Sequence, residues 1–150
     1  MNTKKRMLFR VIAIILIVVC TFPVQAKAVE PRASDYLFGY SAYVYPAGWG
    51  RIQVWFDVTG IDDLDEIGAL EIQLYESKDN TNWTWVKTFD YTDYSDMLGY
   101  NNYTHTGHVQ YNGTIGRYYK AYVCIWGGRD GDGDTRYFWT NSVKATLFAG

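Results

Sequence analysis

Cysteine is nearly absent. The 150 residues hold two, Cys20 and Cys124, and Cys20 ends an apolar run near the N-terminus. With that segment removed, Cys124 stands alone and an intrachain disulfide is excluded. Positive charge is scarce as well. Lys4, Lys5, Arg6, Arg10 and Lys27 fall in the first 28 residues, so 14 − 5 = 9 bases remain against 16 acids, a net charge of −7. Such a domain argues against nucleic acid and anionic membranes as partners. Only two histidines occur, and there is no G-x-S-x-G motif. Neither histidine has an evident Ser or Cys partner, so nucleophilic catalysis has no footing. No amphipathic helix, heptad or internal repeat is visible, and Val11–Val19 is the one long apolar run. It falls short of the roughly 20 residues that a membrane span needs.

What is present begins with a leader. Lys4-Lys5-Arg6 and Arg10 precede the apolar run, and Ala26-Lys27-Ala28 follows it. A basic start, a short apolar core and a small-x-small triplet read as a secretory signal peptide, residues 1–28, cleaved after Ala28. Cys20 raises the question of lipid attachment. Val19 stands before it where a small residue belongs, so Cys20 reads as one more apolar residue of a discarded segment. Residues 29–150 are then a single exported, soluble domain with no second apolar run to anchor it. They suffice for one core. Of 27 Phe, Trp and Tyr residues only Phe9 and Phe22 go with the leader, so aromatic packing takes the place of disulfides.

The clearest strand is 116–126, G-R-Y-Y-K-A-Y-V-C-I-W. Successive side chains of a strand point to opposite faces. Lys120 is costly to bury unpaired, which turns Tyr119, Ala121, Val123 and Ile125 inward. Arg51–Thr59 sets Ile52, Val54, Phe56 and Val58 against Arg51, Gln53, Trp55 and Asp57. Further strands read at 36–44, where Tyr36, Phe38, Tyr40, Ala42 and Val44 share one face, and at 69–76, 83–89, 104–111 and 136–146. Turn signals separate them: Pro46-Ala47-Gly48-Trp49-Gly50, a polar turn at 77–82, Asn112-Gly113, and the glycine–aspartate loop 127–134. The acidic connection 60–68 is expected to carry one short helical turn capped by Asp62. Segment 90–103 reads as irregular. About seven short strands without helix predict an all-β, two-sheet antiparallel sandwich.

Two pieces resemble fibronectin type III and immunoglobulin-like domains. Ile72–Phe89 looks like strands C and C′, and the alternation from Tyr119 looks like strand F. That resemblance makes Tyr119 the tyrosine-corner residue, with Tyr118 the competing candidate. The leader, P-R-A-S-D-Y-L and D-E-I-G-A-L-E-I-Q-L-Y-E-S also resemble an uncharacterised family of small secreted proteins from Gram-positive bacteria. This likeness implies export and carries no activity.

The candidate chemistry is sparse. His105 and His108 are three apart on a strand, on opposite faces, which argues against a shared metal. Cys124 shares a face with Lys120, Tyr122 and Trp126 and reads as packed and inert. No pair of carboxylates is picked out for glycoside hydrolysis, and the chain is expected not to be an enzyme. Asp130, Asp132 and Asp134 alternate with glycines like the start of a calcium loop, but Thr135 and Asn141 fail the full pattern. In a sandwich the loop 60–68 lies at the same end, bringing Asp62, Asp63, Asp65 and Glu66 near them. This is the candidate calcium site; the competing reading is a hairpin tip whose Asp and Gly serve turn geometry. No other cofactor is expected. The second candidate is an outer aromatic platform of Tyr75, Trp85, Tyr122, Trp126 and Trp139, with Lys87 joining if Val86 is inward. Such a row holds either a sugar ring or the sheet itself, through cross-strand aromatic pairs. The expected role is an extracellular or cell-envelope interaction module, its partner a cell-wall or host glycan or another surface protein. Glycan binding and a secreted toxin are the alternatives.

Overall fold

The computed structural model describes residues 34–150; the leader lies outside the described residues. The chain is all-β and antiparallel, with seven strands hydrogen-bonded as one sheet. They are β1 (Leu37–Pro46), β2 (Arg51–Ser77), β3 (Thr84–Asp90), β4 (Leu98–Asn112), β5 (Tyr118–Arg129), β6 (Asp132–Trp139) and β7 (Val143–Lys144).

The spine is β2, a strand of 27 residues. Its first half pairs with β1 on one edge and β4 on the other. Its second half pairs with β5 and β3. Between them, Glu66, Ile67 and Gly68 are bonded to β4 and β5 together. The acidic connection expected to be a loop with a helical turn is therefore strand. The reason lies in its apolar residues: Leu64, Ile67 and Ala69 are buried, and their burial holds the backbone extended across the bend. The one 3-10 turn described falls instead at Ser95–Met97, where Met97 plugs the core.

The inward rows follow the expected alternation. Ile52, Val54, Phe56 and Val58 from the first half of β2 meet Ile72 and Leu74 from its second half and Tyr119, Ala121, Val123 and Ile125 from β5 in one cluster. Each fully buried aliphatic or aromatic side chain contributes roughly 1.5–3 kcal/mol. Every member of that cluster lies between Leu37 and Ala145, so the unit carries its own core. Its two halves cover the same apolar residues, so the sheet must curl around them.

Three local readings change. In β1 the register slips between Leu37 and Gly39. Leu37 is buried and Phe38, expected on the same face as Val44, is 78 % exposed. In β3 a bulge at Val86 sets Trp85 opposite Tyr75 and Lys87 opposite Leu74. Lys87 thus leaves the outer platform, and its ammonium lies 5.7 Å from the Phe89 ring centroid. The closing strand is two, β6 and β7, parted at Thr140, whose hydroxyl accepts from the Ala121 N–H.

Tyr119 fixes the corner where β4 turns into β5. Its hydroxyl accepts from the Thr114 N–H at 2.8 Å and donates to the Glu76 carboxylate at 2.5 Å. Burial, and then the bond to Glu76, push its pKa up to about 12.

Candidate functional site

The outer face of β5 and its neighbours is built by register. Lys120 lies across from Tyr75, which faces Trp85 on the far side. One step along, Tyr122 sits between Gln73 and Trp139. One step further, Cys124 sits between Glu71 and Tyr137. Residues opposite one another in a ladder share a face, so these side chains form a continuous outer surface.

The rings touch. Trp139 meets Tyr75 edge-on with centroids 5.0 Å apart, and tilts against Tyr122 at the same distance. Tyr122 in turn stacks on Tyr137 at 6.0 Å. Lys120 extends its ammonium over Trp139 at 4.2 Å and over Trp83 at 4.4 Å. That contact explains how a lysine is accommodated in the middle of an aromatic face: the π-clouds attract its charge. Trp85, Trp139 and Tyr137 remain about half exposed, so the cluster is open to a ligand.

A polar seam runs beside it. The Tyr75 hydroxyl donates to Gln73 Oε1 at 2.9 Å, and Gln73 Nε2 donates to Glu71 at 2.6 Å. The Trp85 indole N–H donates to Thr88. Flat apolar rings flanked by fixed donors and acceptors match a ligand that has both apolar faces and hydroxyl edges.

Three of the five expected platform residues touch: Tyr75, Tyr122 and Trp139. Trp85 stands beside them by register, opposite Tyr75, and Trp126 does not join their ring contacts. It shares the outer face but lies two residue pairs further along, opposite Thr135. Its indole rests on Gly128 and Gly133, where an added Cβ would come within 2.5 Å of the ring. Its Nε1 is buried and has no hydrogen-bond partner. Tyr137, Trp83 and Lys120 are site residues that sequence reasoning did not include. For Tyr137 the missing signal was the register of β6 against β5.

Cys124 shows the same face closing over. It is 5 % exposed, beneath Tyr137. Burial raises its thiol pKa, so it is a poor nucleophile at neutral pH. His105 and His108 occupy opposite faces as expected. His105 lies 2.8 Å from the Asp96 carbonyl, and His108 stacks on Trp55 with centroids 4.4 Å apart.

The acidic segments 60–66 and 130–134 meet at one end of the sheet. Arg129 bonds the Asp63 carbonyl and pairs with Asp62 at 3.4 Å. The Asp130 N–H donates to Asp65 at 2.7 Å. Asp132 accepts from the Gly133 N–H. Asp134 sits apart, taking bonds from the Ser34 hydroxyl and the Asp35 N–H. Those bonds, led by the one from Ser34, hold its carboxyl below the usual range. Among the described residues, no three His, Cys, Asp or Glu side chains converge to hold a metal ion. Asp62, Asp65, Asp132 and Asp134 are engaged in local hydrogen bonds or with Arg129.

No family model, curated protein or solved structure matches this chain.

Proposed function

We propose that this chain is a secreted binding module that holds a glycan against the outer face of β3, β2, β5 and β6. The open ring cluster of Tyr75, Trp139, Tyr122 and Tyr137, bordered by the Glu71–Gln73 seam, carries this reading. Sugar rings present apolar C–H faces to such a surface and hydroxyls to its rim. Binding rather than catalysis fits the buried thiol of Cys124 and the separated histidines. Export fits the basic, apolar and small-x-small pattern of residues 1–28.

The fold we propose is a fibronectin type III-like sandwich whose B and C strands are fused into β2. One layer is then β1, the first half of β2 and β4; the other is β3, the second half of β2, β5 and β6. Two features support it. The strand neighbours follow the order of that fold, and Tyr119 bonds backbone five residues upstream, as a tyrosine corner does. The family of small Gram-positive secreted proteins remains the relationship we propose for the whole chain.

Binding to a glycan array and to cell-wall polysaccharide tests the site. Trp139→Ala is expected to abolish retention and Trp126→Ala to leave it intact. Equal retention by the native protein and Trp139→Ala removes this face as the site.

A further inference from the structure

The net charge of −7 hides a segregation. Register places 46–51, 112–118 and 144–150 at one end of the sheet, through Arg51↔Asn112 and Tyr118↔Lys144. The acidic loops lie at the other end, beyond Leu37↔Gly60 and Arg129↔Asp132. Segments 60–66 and 130–134 hold seven carboxylates and no base. The three segments at the opposite end hold Arg51, Arg117 and Lys144 and no acid. The neighbouring Lys78, Glu76 and Asp79 leave that end with four bases against two acids.

The same end displays apolar side chains. Trp49 is 73 % exposed and Phe148 is 76 % exposed, with Ile115 and Leu147 also open. They are neighbours: the Trp49 N–H donates to the Leu147 carbonyl at 2.8 Å, and Ile115 packs beside Gly50. Trp49 is moreover strained. Its φ is +56°, between Gly48 at +77° and Gly50 at +75°. A bulky residue is rare in that region, and strain of this kind persists only where surrounding bonds impose it. Here they do. Gly50 N–H donates to the Thr146 carbonyl, Arg51 N–H to Gly48, and the Arg51 guanidinium reaches the Gly48 and Ala47 carbonyls. The tip is a rigid mount that holds an indole away from the core at an energetic cost.

We infer that this end docks on an anionic lipid surface, with Trp49 and Phe148 entering the interface and Arg51 and Lys144 facing the headgroups. An indole settles well at that boundary, and each base near an anionic leaflet adds attraction. The carboxylates at the far end are repelled by the same surface and orient the molecule with its tip down. The observations favour lipid over a protein partner because the apolar groups project from three separate segments, each of which also carries a base, Arg51, Arg117 or Lys144.

Sedimentation with phosphatidylcholine vesicles, with and without phosphatidylglycerol, tests this on residues 29–150, which carry the whole core. The native domain is expected to bind the anionic vesicles and to be released by salt. Trp49→Gly and Phe148→Ser should each weaken binding by about tenfold, the share of one aromatic side chain withdrawn from water. Glycine adopts φ +56° without strain, so Trp49→Gly should melt no lower than the native domain, which separates lost binding from lost folding. Trp139→Ala should bind vesicles unchanged. Absence of native binding to anionic vesicles, or full binding by Trp49→Gly, overturns the inference. So does self-association through the tip without vesicle binding, which would make a second copy the occupant.

Discussion

The two ends of the sheet handle unfavourable side chains in opposite ways. At the acidic end, carboxylates that repel one another are taken up by the fold: Arg129 bridges Asp62 and the Asp63 backbone, and Asp65 and Asp134 accept backbone N–H groups. At the tip, the N–H groups of Ala47, Trp49, Gly50 and Arg51 are tied and the apolar side chains are left outside. A cluster that looks reactive is thus explained by loop construction, whereas a turn that looks ordinary carries strain and exposed indole. Internal partners engage four of the seven carboxylates, Asp62, Asp65, Asp132 and Asp134; among the described residues, nothing accounts for the exposed indole.

Substitutions that unseat each end sharpen this contrast. The largest effect is expected from Gly133→Ala at the acidic end. Its Cβ would lie 2.5 Å from Trp126 and 2.6 Å from the Gly127 carbonyl. Overpacking of this kind costs about 1–3 kcal/mol, read as a lower midpoint in urea; an unchanged midpoint would show that the indole is not seated there. Next is Tyr119→Phe, above the tip. It strips the Thr114 N–H and Glu76 of a partner and is expected to cost about 1–3 kcal/mol. The pH dependence gives a second reading. Folding raises the Tyr119 pKa from 10.0 to about 12, so its contribution is complete below pH 10.0 and fades as pH rises toward 12. Tyr119→Phe should therefore flatten the alkaline limb of the stability curve, and an identical limb would deny the bond. The smallest effect is expected from Arg129→Gln. Its pair with Asp62 is exposed, and such pairs contribute about 0–1 kcal/mol. A small loss that disappears in salt fits a solvated crown; a loss as large as that of Gly133→Ala would make the acidic end depend on Arg129 for its structure.

Much of the core was legible. Lys120 fixed the parity of β5, and the apolar row at 52–58 fixed that of β2. The outward row of β5 and the aromatic end of the closing strand point to Tyr122 and Trp139, which meet at 5.0 Å. What failed was continuity. Charged residues at 62–63 and 65–66 read as a loop because the sequence shows their charge, not the β4 ladder that keeps Leu64 extended or the ladders on both edges of Ile67. Bulges were equally hidden. One extra residue at Val86 reversed Lys87, and a slip near Phe38 turned it out, since alternation carries no marker for a single inserted residue. Tyr137 was missed because its strand lacks clean alternation. Trp49 was missed because a proline–glycine turn announces a change of direction and says nothing of the dihedral forced on its aromatic member.

The long β2 has a consequence for how such a molecule can vary. Where a free connection would join the two halves, Glu66, Ile67 and Gly68 are clasped from both sides. An added stretch of chain there would have to break two ladders at once. Segments 78–82 and 91–94 lie outside the strands, so an inserted residue there would break no ladder, whereas the middle of β2 holds the chain to a fixed number of residues.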